Sequence, residues 1–580
     1  MDKKFRFSTY NDIYLNSIDI EDVLLDPSVT ESDPYHKLIE DFHPLTYMSK
    51  MVSNDTPNWN QAMNGPQSAG YWKACEIEVD TLTKKDAWKI VDRDQGMNVL
   101  PSTWSFKCKR FPDGTVKKLK ARFCVRGDKQ IEGKDYFETY APVVSWATVR
   151  LLLILSVVMN WVSVQVDYTD AFIQAPIDCD VFVEMPRGFL QKGKVLHLNK
   201  GLYGLCQSSR NFFLYLKQTL EKCGMKQRND LDPCLFIGRN TICLVYVDDC
   251  IFFSPSKDHI DKLIIDIQKQ GMDLHEEDNF AGFLGVDIQR KDNNSLELLQ
   301  LGLTKKVIEA LGLSTTMSNR VFTPSEKGAL IADENGDRCQ ESYSYPSIIG
   351  MLMYLAANSR PDIAFAVHQC ARFTHRPRRI HEAALKRIGR YLVGTCEKGL
   401  ILKPLTELSL DCHVDADFAG LWGTEDPESV NCFRSRSGYI FTVAGCPVIW
   451  KSKLQSEVAL STMQAEYIAL SMSLRDLIPF QHLLRSLIDE LNRSDQKLTT
   501  IRKTVWEDNV GALNLANMEP GRTTTRSKHF CVKYHWFREK LGPLNIQVKK
   551  IDSKHQLADI LTEGLTRDTF EYLRKSLSGW

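Results

Sequence analysis

Two adjacent aspartates lie between two short apolar runs near the middle of the chain. Asp248 and Asp249 follow Ile242–Val247 and precede Cys250–Phe253. These runs are rich in β-branched and aromatic residues, which predicts two strands of a tight hairpin. Adjacent carboxylates repel each other, and a divalent cation at the tip of the hairpin would stabilise them. Taken alone, an acidic pair is more often an ordinary solvated turn.

A third acid, Asp167, ends an alternating apolar segment that begins at Val164. An acid at the end of a central strand is costly to bury unless it has a function. Carboxylates on neighbouring strand ends can hold two Mg²⁺ ions about 3.5–4 Å apart, which stabilise the attacking and leaving oxygens of an in-line phosphoryl displacement. Asp167, Asp248 and Asp249 therefore predict a two-metal phosphoryl-transfer site.

A second set of acids lies in the last third of the chain, on four separate predicted elements. Asp415 and Asp508 are on strands, and Glu466 and Asp559 are on helices. No Ser or Cys nucleophile with a partner His accompanies them, so the set indicates two-metal hydrolysis. Each acid taken singly is more often an N-cap or a surface charge. Asp417 shares the strand face of Asp415, and spacing alone does not choose between them.

A cationic hairpin is predicted upstream of both acid sets. The segments Trp104–Lys109 and Val116–Val125 flank Pro112-Asp113-Gly114, which is a turn signal. Lys120 and Arg122 on the second strand suit phosphate contacts. A solvated edge strand protected by lysines is an equally good interpretation without further context.

The remaining patterns indicate the elements that position these groups. Leu151–Val166 is too short for a bilayer span and contains Asn160 and Gln165, which favours a buried helix leading into a buried strand. Asp258–Gln270 has the apolar spacing of an amphipathic helix. Residues 1–70 are polar, with acidic patches and several prolines and glycines, which predicts a poorly ordered leader and linker.

Composition limits the class of protein. A chain of 580 residues is too long for one core and predicts about three or four domains. Its 73 basic and 73 acidic residues balance, which argues neither for nor against a nucleic-acid partner. The 16 cysteines form no C-x-x-C pair, which argues against zinc modules. With no signal peptide, we expect reduced thiols in an intracellular compartment.

Ordered motifs over about residues 56–575 resemble the reverse transcriptase–ribonuclease H part of copia-type long-terminal-repeat retrotransposon polyproteins. The residues that carry the resemblance are, in chain order, Lys120-Ala121-Arg122, Gly127, Asp135–Val143, Gln165-Val166-Asp167, Leu202–Leu205, Asp232–Phe236, Tyr246–Asp249, Phe283-Leu284-Gly285, Ser359–Ile363, Lys386–Leu392, Arg434–Tyr439, Ala465-Glu466-Tyr467, Asp508-Asn509 and Ala558-Asp559. Chance agreement of so many ordered motifs is negligible.

The resemblance implies an α/β fold class. A right-hand polymerase with an α+β palm, fingers and thumb would be followed by a ribonuclease H-like α/β domain. The implied domains are a poorly ordered leader at 1–70, a reverse transcriptase at 71–315, a helical connection at 316–405 and a ribonuclease H-like domain at 406–580.

In the polymerase part, the resemblance implies specific roles. Asp167, Asp248 and Asp249 match the metal ligands, assisted by the carbonyl of Tyr168. Phe172 matches the aromatic residue that lies under the incoming sugar and excludes a 2′-OH, and a plain core position is its alternative.

Further residues have implied roles around the two sites. Lys120 and Arg122 resemble fingers residues that hold the triphosphate, and Phe283-Leu284-Gly285 resembles the primer grip. His529 and His535 match a family pattern near the second site, and we expect them to be structural or to contact RNA. The acids that match the ribonuclease H metal ligands are Asp415, Glu466, Asp508 and Asp559.

The implied activity is polymerisation of dNTPs on an RNA template and a DNA primer, with ribonuclease H cleavage of the RNA–DNA hybrid. Each active site would use two Mg²⁺ or Mn²⁺ ions. The implied setting is a cytoplasmic virus-like particle or the nucleus, with other retrotransposon Gag and Pol products as partners and no membrane.

The sequence departs from the family pattern at Cys206, Ser208-Ser209 and Asp128. These departures keep open the alternative of a decayed or co-opted fragment that only binds nucleic acid. A fusion of two unrelated phosphotransferases is disfavoured by Phe172 and the fingers lysines.

Overall fold

The structure is a computed structural model that describes most of the chain from residue 55 onward. The described residues are 55–110, 116–238, 240–277, 280, 282–291, 293–314, 320–339, 343–423, 430–492, 501–522 and 534–580. Within these ranges, no helix is both long and apolar enough to cross a membrane. The described residues form two compact units, one within Ser49–Val144 and Val162–Asp278 and the other within Ser145–Trp161 and Asn279–Trp580.

Short runs of strands and of helices follow one another along the described chain. The described strands are β1 (Trp88–Asp92), β2 (Val99–Leu100), β3 (Ser102–Arg110), β4 (Val116–Val125), β5 (Val162–Tyr168), β6 (Phe182–Glu184), β7 (Lys194–Leu198), β8 (Lys226–Gln227), β9 (Leu235–Gly238), β10 (Thr241–Tyr246), β11 (Asp249–Ser254), β12 (Leu274–Glu276), β13 (Asp287–Lys291), β14 (Ser295–Leu299), β15 (Leu400–Leu402), β16 (Ser409–Asp417), β17 (Arg436–Val443), β18 (Cys446–Leu454), β19 (Arg502–Glu507) and β20 (Gln547–Lys550). The described α-helices are α1 (Trp59–Asn64), α2 (Ser68–Lys84), α3 (Trp146–Val158), α4 (Ser208–Lys222), α5 (Lys257–Lys269), α6 (Leu301–Ala310), α7 (Tyr345–Asn358), α8 (Ala364–Ala371), α9 (Arg379–Gly394), α10 (Thr462–Asn492), α11 (Val510–Ala516), α12 (Arg538–Leu541) and α13 (Arg567–Ser578).

A six-stranded antiparallel sheet dominates the first unit. Its strand order is β12-β5-β11-β10-β9-β8. The predicted hairpin is confirmed as β10 and β11, joined by the two-residue turn Val247-Asp248. Helix α5 packs on β11 and buries the apolar face that its sequence predicts, while Ser256 caps its first turn by accepting from the Asp258 N–H. Apolar strands covered by an amphipathic helix give the hairpin a rigid base.

The cationic hairpin is also in the first unit. Strands β3 and β4 form an antiparallel pair, as predicted, from Ser102 opposite Val125 to Arg110 opposite Val116. The predicted turn at 112–114 lies outside the described residues. Alternate residues of β4 are buried, which leaves Lys120 and Arg122 on the other face. Period-two alternation therefore separates the packed face of the hairpin from its cationic face.

Helix α3 is buried throughout, as the apolar run predicts, and it belongs to the second unit. Its Arg150 is fully buried and donates to the carbonyls of Val448 at 2.7 Å, Ala357 at 3.0 Å and Asn358 at 3.2 Å. The guanidinium also lies 4.2 Å from the centre of the Trp450 ring. One arginine thus joins α3 to the end of α7 and to β18.

A five-stranded mixed sheet forms the C-terminal part of the second unit. Its order is β18-β17-β16-β19-β20, with antiparallel pairing on one side of β16 and parallel pairing on the other. Helix α10 packs on β16 and β17. With the sheets of the first unit, this arrangement confirms the predicted α/β class.

Two sequence-based expectations need correction. The range 1–70 is too long for a poorly ordered leader, because α1 lies inside it and is stabilised by reciprocal capping between Asn58 and Gln61. Asp508 follows the end of β19 (Arg502–Glu507) and is not on a strand as predicted. Asp559 lies in a helical segment as predicted, a short 3₁₀ helix at Leu557–Leu561. The Gln556 side chain holds that segment on the sheet by donating to the Val414 carbonyl at 2.7 Å. The domain divisions at 315 and 405 stay predictions.

Candidate active sites

Strand pairing brings the first three acids together at one end of the six-stranded sheet. Asp249 on β11 is the register partner of Asp167 on β5. Asp248 occupies the turn before Asp249, and its carbonyl accepts a hydrogen bond from the Tyr168 N–H at 3.3 Å. Val247 in the same turn has φ 50°, which is strained for a β-branched residue. The hairpin therefore presents two acids through a turn that contains no glycine.

The carboxylates of this site repel one another. Burial, followed by repulsion from Asp248 and Asp167, raises the pKa of Asp249 to about 7. Burial and Asp248 also raise the pKa of Asp167, on which Lys120 acts in the opposite sense. Gln165 Nε2 donates to Asp249 Oδ1 at 3.4 Å, which offsets part of the cost. A divalent cation would offset the rest, so the donor set fits a metal site.

A guanidinium and two aromatic rings adjoin the acids. The Arg122 guanidinium lies 4.4 Å from the centre of the Tyr203 ring, and that ring meets Phe172 edge-on at 4.9 Å. Burial raises the pKa of Tyr203 to about 12, while Arg122 lowers it and Asp248 raises it. The ring therefore lies within electrostatic reach of both the cation and the acid. Phe172 is half-buried, so it is not a plain core position.

Four elements of the C-terminal part bring the second set of acids together. Asp415 on β16, Glu466 near the start of α10 and Asp508 just past β19 have ligand atoms that all lie within 4.8 Å of one another. Burial, with repulsion from Asp415 and Asp508, raises the pKa of Asp559 to about 9. All four predicted acids therefore share one electrostatic environment.

Two buried oxygens of these carboxylates lack a hydrogen-bond donor in the described part of the chain. Burial and repulsion from Asp415 raise the pKa of Glu466 to about 11. Burial raises the pKa of Asp415 to about 7, although a hydrogen bond from the Thr562 hydroxyl lowers it. Glu466 Oε2 and Asp559 Oδ1 are buried, and neither has a hydrogen-bond partner in the described part of the chain. Buried polar oxygens normally have a partner, and a bound cation would supply it.

Comparison with known protein families gives a family for the part of the chain that contains the first three acids. Residues 85–327 match the family described as reverse transcriptase (RNA-dependent DNA polymerase). The chain contains a reverse transcriptase domain. The matched range includes all three acids of the first site and the cationic hairpin that precedes them.

The similarity to retrotransposon Pol polyproteins extends beyond the reverse transcriptase domain. The polyprotein from transposon TNT 1-94 of Nicotiana tabacum is 31% identical over 546 residues, which covers 91% of this chain and 39% of that protein. The polyprotein from transposon RE1 of Arabidopsis thaliana is 30% identical and covers 86% of this chain and 33% of that protein. The truncated transposon Ty1-A Gag-Pol polyprotein of Saccharomyces cerevisiae is 26% identical, over 87% of this chain and 42% of that protein. The chain thus spans less than half the length of these relatives.

Solved structures of the foamy viral protease–reverse transcriptase are also similar to this chain. One in complex with dsDNA is 13% identical with a TM-score of 0.44, covering 93% of this chain and 98% of that one. Another in complex with dsDNA is 12% identical with a TM-score of 0.45, covering 95% and 84%.

Within the reverse transcriptase domain, sequence analysis missed two residues beside Asp167. His275 on β12 is the register partner of Asp167, and its Nε2 lies 3.9 Å from Asp167 Oδ2. The same nitrogen lies 3.4 Å from Glu277 Oε1. Neither residue belongs to a motif of the sequence. The one clue was that a histidine and a glutamate two positions apart share a face of an extended segment.

Sequence analysis also missed two residues of the second site. Glu507 is fully buried at the end of β19 and accepts from the Asn509 N–H at 3.0 Å. Burial raises its pKa well above the usual range. The Thr562 hydroxyl donates to Asp415 Oδ2. The alternation of β19 could have placed Glu507 on the inner face, whereas nothing local indicates Thr562.

The predicted primer grip lies in the second unit, whereas Asp167, Asp248 and Asp249 lie in the first. Phe283-Leu284-Gly285 forms a tight turn in which the Gly285 N–H donates to the Gly282 carbonyl at 2.9 Å. Phe283 is fully buried, and the Tyr354 hydroxyl donates to the Leu284 carbonyl. The motif is therefore a rigid structural feature, and its contact with a primer stays a prediction.

The remaining predicted residues have identifiable environments. His535 Nδ1 lies 2.7 Å from the Tyr467 hydroxyl, and burial lowers the pKa of this histidine to about 4. His529 lies outside the described residues. Asp417 is the register partner of Arg436. Burial raises the pKa of Asp417, and the charge of Arg436 lowers it in part.

Proposed function

We propose that this chain is an RNA-directed DNA polymerase with ribonuclease H activity. The observation that carries the proposal is the register of β5 and β11, which aligns Asp167 with Asp249 and places Asp248 in the adjoining turn. This arrangement lies within the matched reverse transcriptase domain. In the reaction, a primer 3′-hydroxyl bonds to the α-phosphate of a dNTP and pyrophosphate leaves.

Asp167, Asp248 and Asp249 would hold two Mg²⁺ or Mn²⁺ ions. When bound, such cations stabilise the charge that develops on the attacking and leaving oxygens. The side chain of Tyr168 is buried against Phe212, so its contribution to the site is limited to its backbone carbonyl.

Lys120 and Arg122 would bind the triphosphate. Arg122 Nε is buried and has no hydrogen-bond acceptor among the residues described, so it is a donor that a phosphate oxygen would satisfy. Phe172 is held against the Tyr203 ring, and we propose that it would lie under the sugar of the incoming nucleotide. A rigid ring there excludes a 2′-hydroxyl by steric overlap and selects dNTPs. Phe283-Leu284-Gly285 would hold the primer.

Asp415, Glu466, Asp508 and Asp559 would hold the two cations of the ribonuclease H site. The partnerless oxygens of Glu466 and Asp559 support this assignment, because a buried carboxylate without a partner is costly. The substrates are then the RNA template, the DNA primer and the RNA–DNA hybrid. The proposed setting is a cytoplasmic virus-like particle that contains other Gag and Pol products.

Primer extension on poly(rA)/oligo(dT) with Mg²⁺ tests the polymerase. We expect Asp248→Asn to lower the extension rate about a hundredfold or more, the scale seen when one group that stabilises transition-state charge is removed. Asp258→Asn, an exposed acid at the start of α5, is the matched control and should extend like the wild type. If the wild type and Asp248→Asn extend equally poorly while both bind hybrid, the chain is only a nucleic-acid-binding fragment.

Cleavage of the RNA strand in a labelled RNA–DNA hybrid tests the second site. We expect Glu466→Gln to lose cleavage by a similar factor because it removes one cation-binding carboxylate. Asp489→Asn, an exposed acid on the same helix, should cleave normally. Full cleavage by Glu466→Gln would remove this residue from the site.

A further inference from the structure

The edge strand β12 presents two side chains that can bind a metal next to Asp167. His275 and Glu277 are two positions apart, so they lie on the same face of the extended chain. The Glu277 N–H extends the pairing with β5 by one residue, which fixes its backbone. Glu276 lies on the opposite face and pairs with Lys257 at 2.8 Å. Glu276 is thus used in an ion pair on one face, whereas Glu277 and His275 face Asp167 on the other.

The separations of the three ligand atoms suit a small tetrahedral cation. His275 Nε2 lies 3.4 Å from Glu277 Oε1 and 3.9 Å from Asp167 Oδ2, and all three ligand atoms lie within 4.8 Å of one another. Zinc bound at about 2.0–2.2 Å separates its ligands by about 3.3–3.5 Å. Small side-chain rotations would therefore close the site.

No other cation neutralises these carboxylates by direct contact in the part of the chain that the structure describes. Asp167 and Glu277 each form an ion pair with His275, and neither has a lysine or arginine within 4 Å. Glu276, by contrast, is neutralised by Lys257.

We propose that Asp167, His275 and Glu277 form a Zn²⁺ site. An imidazole and two carboxylates are common zinc ligands, and a water molecule can complete the coordination. Mg²⁺ prefers oxygen ligands and keeps several waters, so the histidine disfavours it. Among divalent first-row metals, Zn²⁺ binds such sites more tightly than Mn²⁺ or Fe²⁺.

Zinc at this site inhibits polymerisation. Asp167 is also a ligand of the proposed catalytic cations, and its carboxylate cannot complete both arrangements at once. Zn²⁺ held by His275 and Glu277 therefore competes with Mg²⁺ for this acid. The inhibition rests on the proposed function, whereas the binding of Zn²⁺ does not.

Calorimetric titration of the full, reduced chain with Zn²⁺ tests the binding. Any binding of Zn²⁺ by cysteine thiols is common to all variants, so the comparison between variants isolates the new site. We expect His275→Gln and Glu277→Gln each to weaken one binding event at least about tenfold, because loss of even a supporting hydrogen bond lowers metal affinity about 10–100-fold. Both side chains are exposed, so neither variant is expected to impair folding, which circular dichroism verifies.

His197→Gln is the matched control. It removes a histidine that pairs with a single carboxylate, Asp180, at 2.9 Å, and it should bind Zn²⁺ like the wild type. If His275→Gln and Glu277→Gln also bind Zn²⁺ like the wild type, the cysteines alone hold the metal and the proposal is overturned.

Primer extension at fixed Mg²⁺ with increasing Zn²⁺ tests the competition. We expect the Zn²⁺ concentration for half-inhibition to rise at least about tenfold in His275→Gln. If the wild type does not extend primers but calorimetry shows the site, the proposed function fails and the zinc site stands. Equal zinc sensitivity of the two proteins would overturn the competition.

Discussion

At the scale of one residue, Asp249 is an acid whose charged form the fold disfavours. The carboxyl is largely buried beside two other acids, and its pKa of about 7 reflects burial first and repulsion second. The pairing of strands β5 and β11 holds Asp249 in this unfavourable position opposite Asp167. A bound cation would lower the cost of charging these acids.

The pH dependence of stability follows from this raised pKa. Between the unfolded value near 3.8 and the folded value of about 7, the native chain binds more protons than the unfolded chain, so stability falls as pH rises. With EDTA present, we expect the wild type to lose about 1–3 kcal/mol more than Asp249→Asn between about pH 5 and pH 8. Urea unfolding at several pH values measures the difference.

Magnesium supplies the control for this experiment. Added Mg²⁺ should restore the stability of the wild type above about pH 7 and have little effect on Asp249→Asn, because binding to the native state stabilises it. Equal pH profiles of the two proteins in EDTA would show that Asp249 is not the titrating group.

At the scale of the element, the turn between β10 and β11 carries strain. Val247 adopts φ 50°, and conformations of this kind cost about 1–3 kcal/mol. We expect Val247→Asn to stabilise the chain by about 1 kcal/mol, because asparagine tolerates the left-handed region. Urea unfolding measures the change, and an unchanged or lower midpoint would contradict it. Val245→Asn, in the buried strand before the turn, should instead destabilise.

The elements that sequence analysis predicted well are those with local signals. Alternating apolar residues and helical spacing located the β10–β11 hairpin and α5 because each pattern is complete within about fifteen residues. Asp167, Asp248 and Asp249 followed from their predicted strand ends and from resemblance. His275 did not, because its position beside Asp167 depends on the register of β12 against β5. Such registers are set by packing across the sheet, which a local window does not contain.

The second site shows the same difference between residues with a local sequence signal and residues placed by distant contacts. Glu466 and Asp508 lie at the ends of elements with clear patterns, whereas Thr562 reaches Asp415 across a separation of 147 residues. The 3₁₀ form of Leu557–Leu561 depends on the Gln556 hydrogen bond to the Val414 carbonyl, also a distant contact. Contacts of this length give no local signal of periodicity.

At the scale of the whole molecule, helix α3 shows that chain order and packing differ. Its residues belong to the second unit, while the segments before and after it belong to the first. Burial lowers the pKa of Arg150 to about 9, and backbone carbonyls are its hydrogen-bond acceptors among the described residues. A buried cation held by carbonyls depends on every one of those bonds.

Arg150→Leu tests this connection. The substitution leaves the carbonyls of Val448, Ala357 and Asn358 without their donor, and we expect it to lower the free energy of unfolding by about 2–5 kcal/mol. Arg485→Leu, on an exposed part of α10, should change it by less than about 1 kcal/mol. Urea unfolding compares the two, and equal midpoints would show that Arg150 is not a structural tie.

The same tie constrains how the chain is made. Arg150 emerges from the ribosome 298 residues before its acceptor Val448. At about 5–20 residues per second, roughly 15 to 60 seconds pass before α3 can make its contacts with β18. A nascent chain in this state is a natural client of ribosome-associated chaperones, and its yield should depend on them more than that of a protein whose domains close in order.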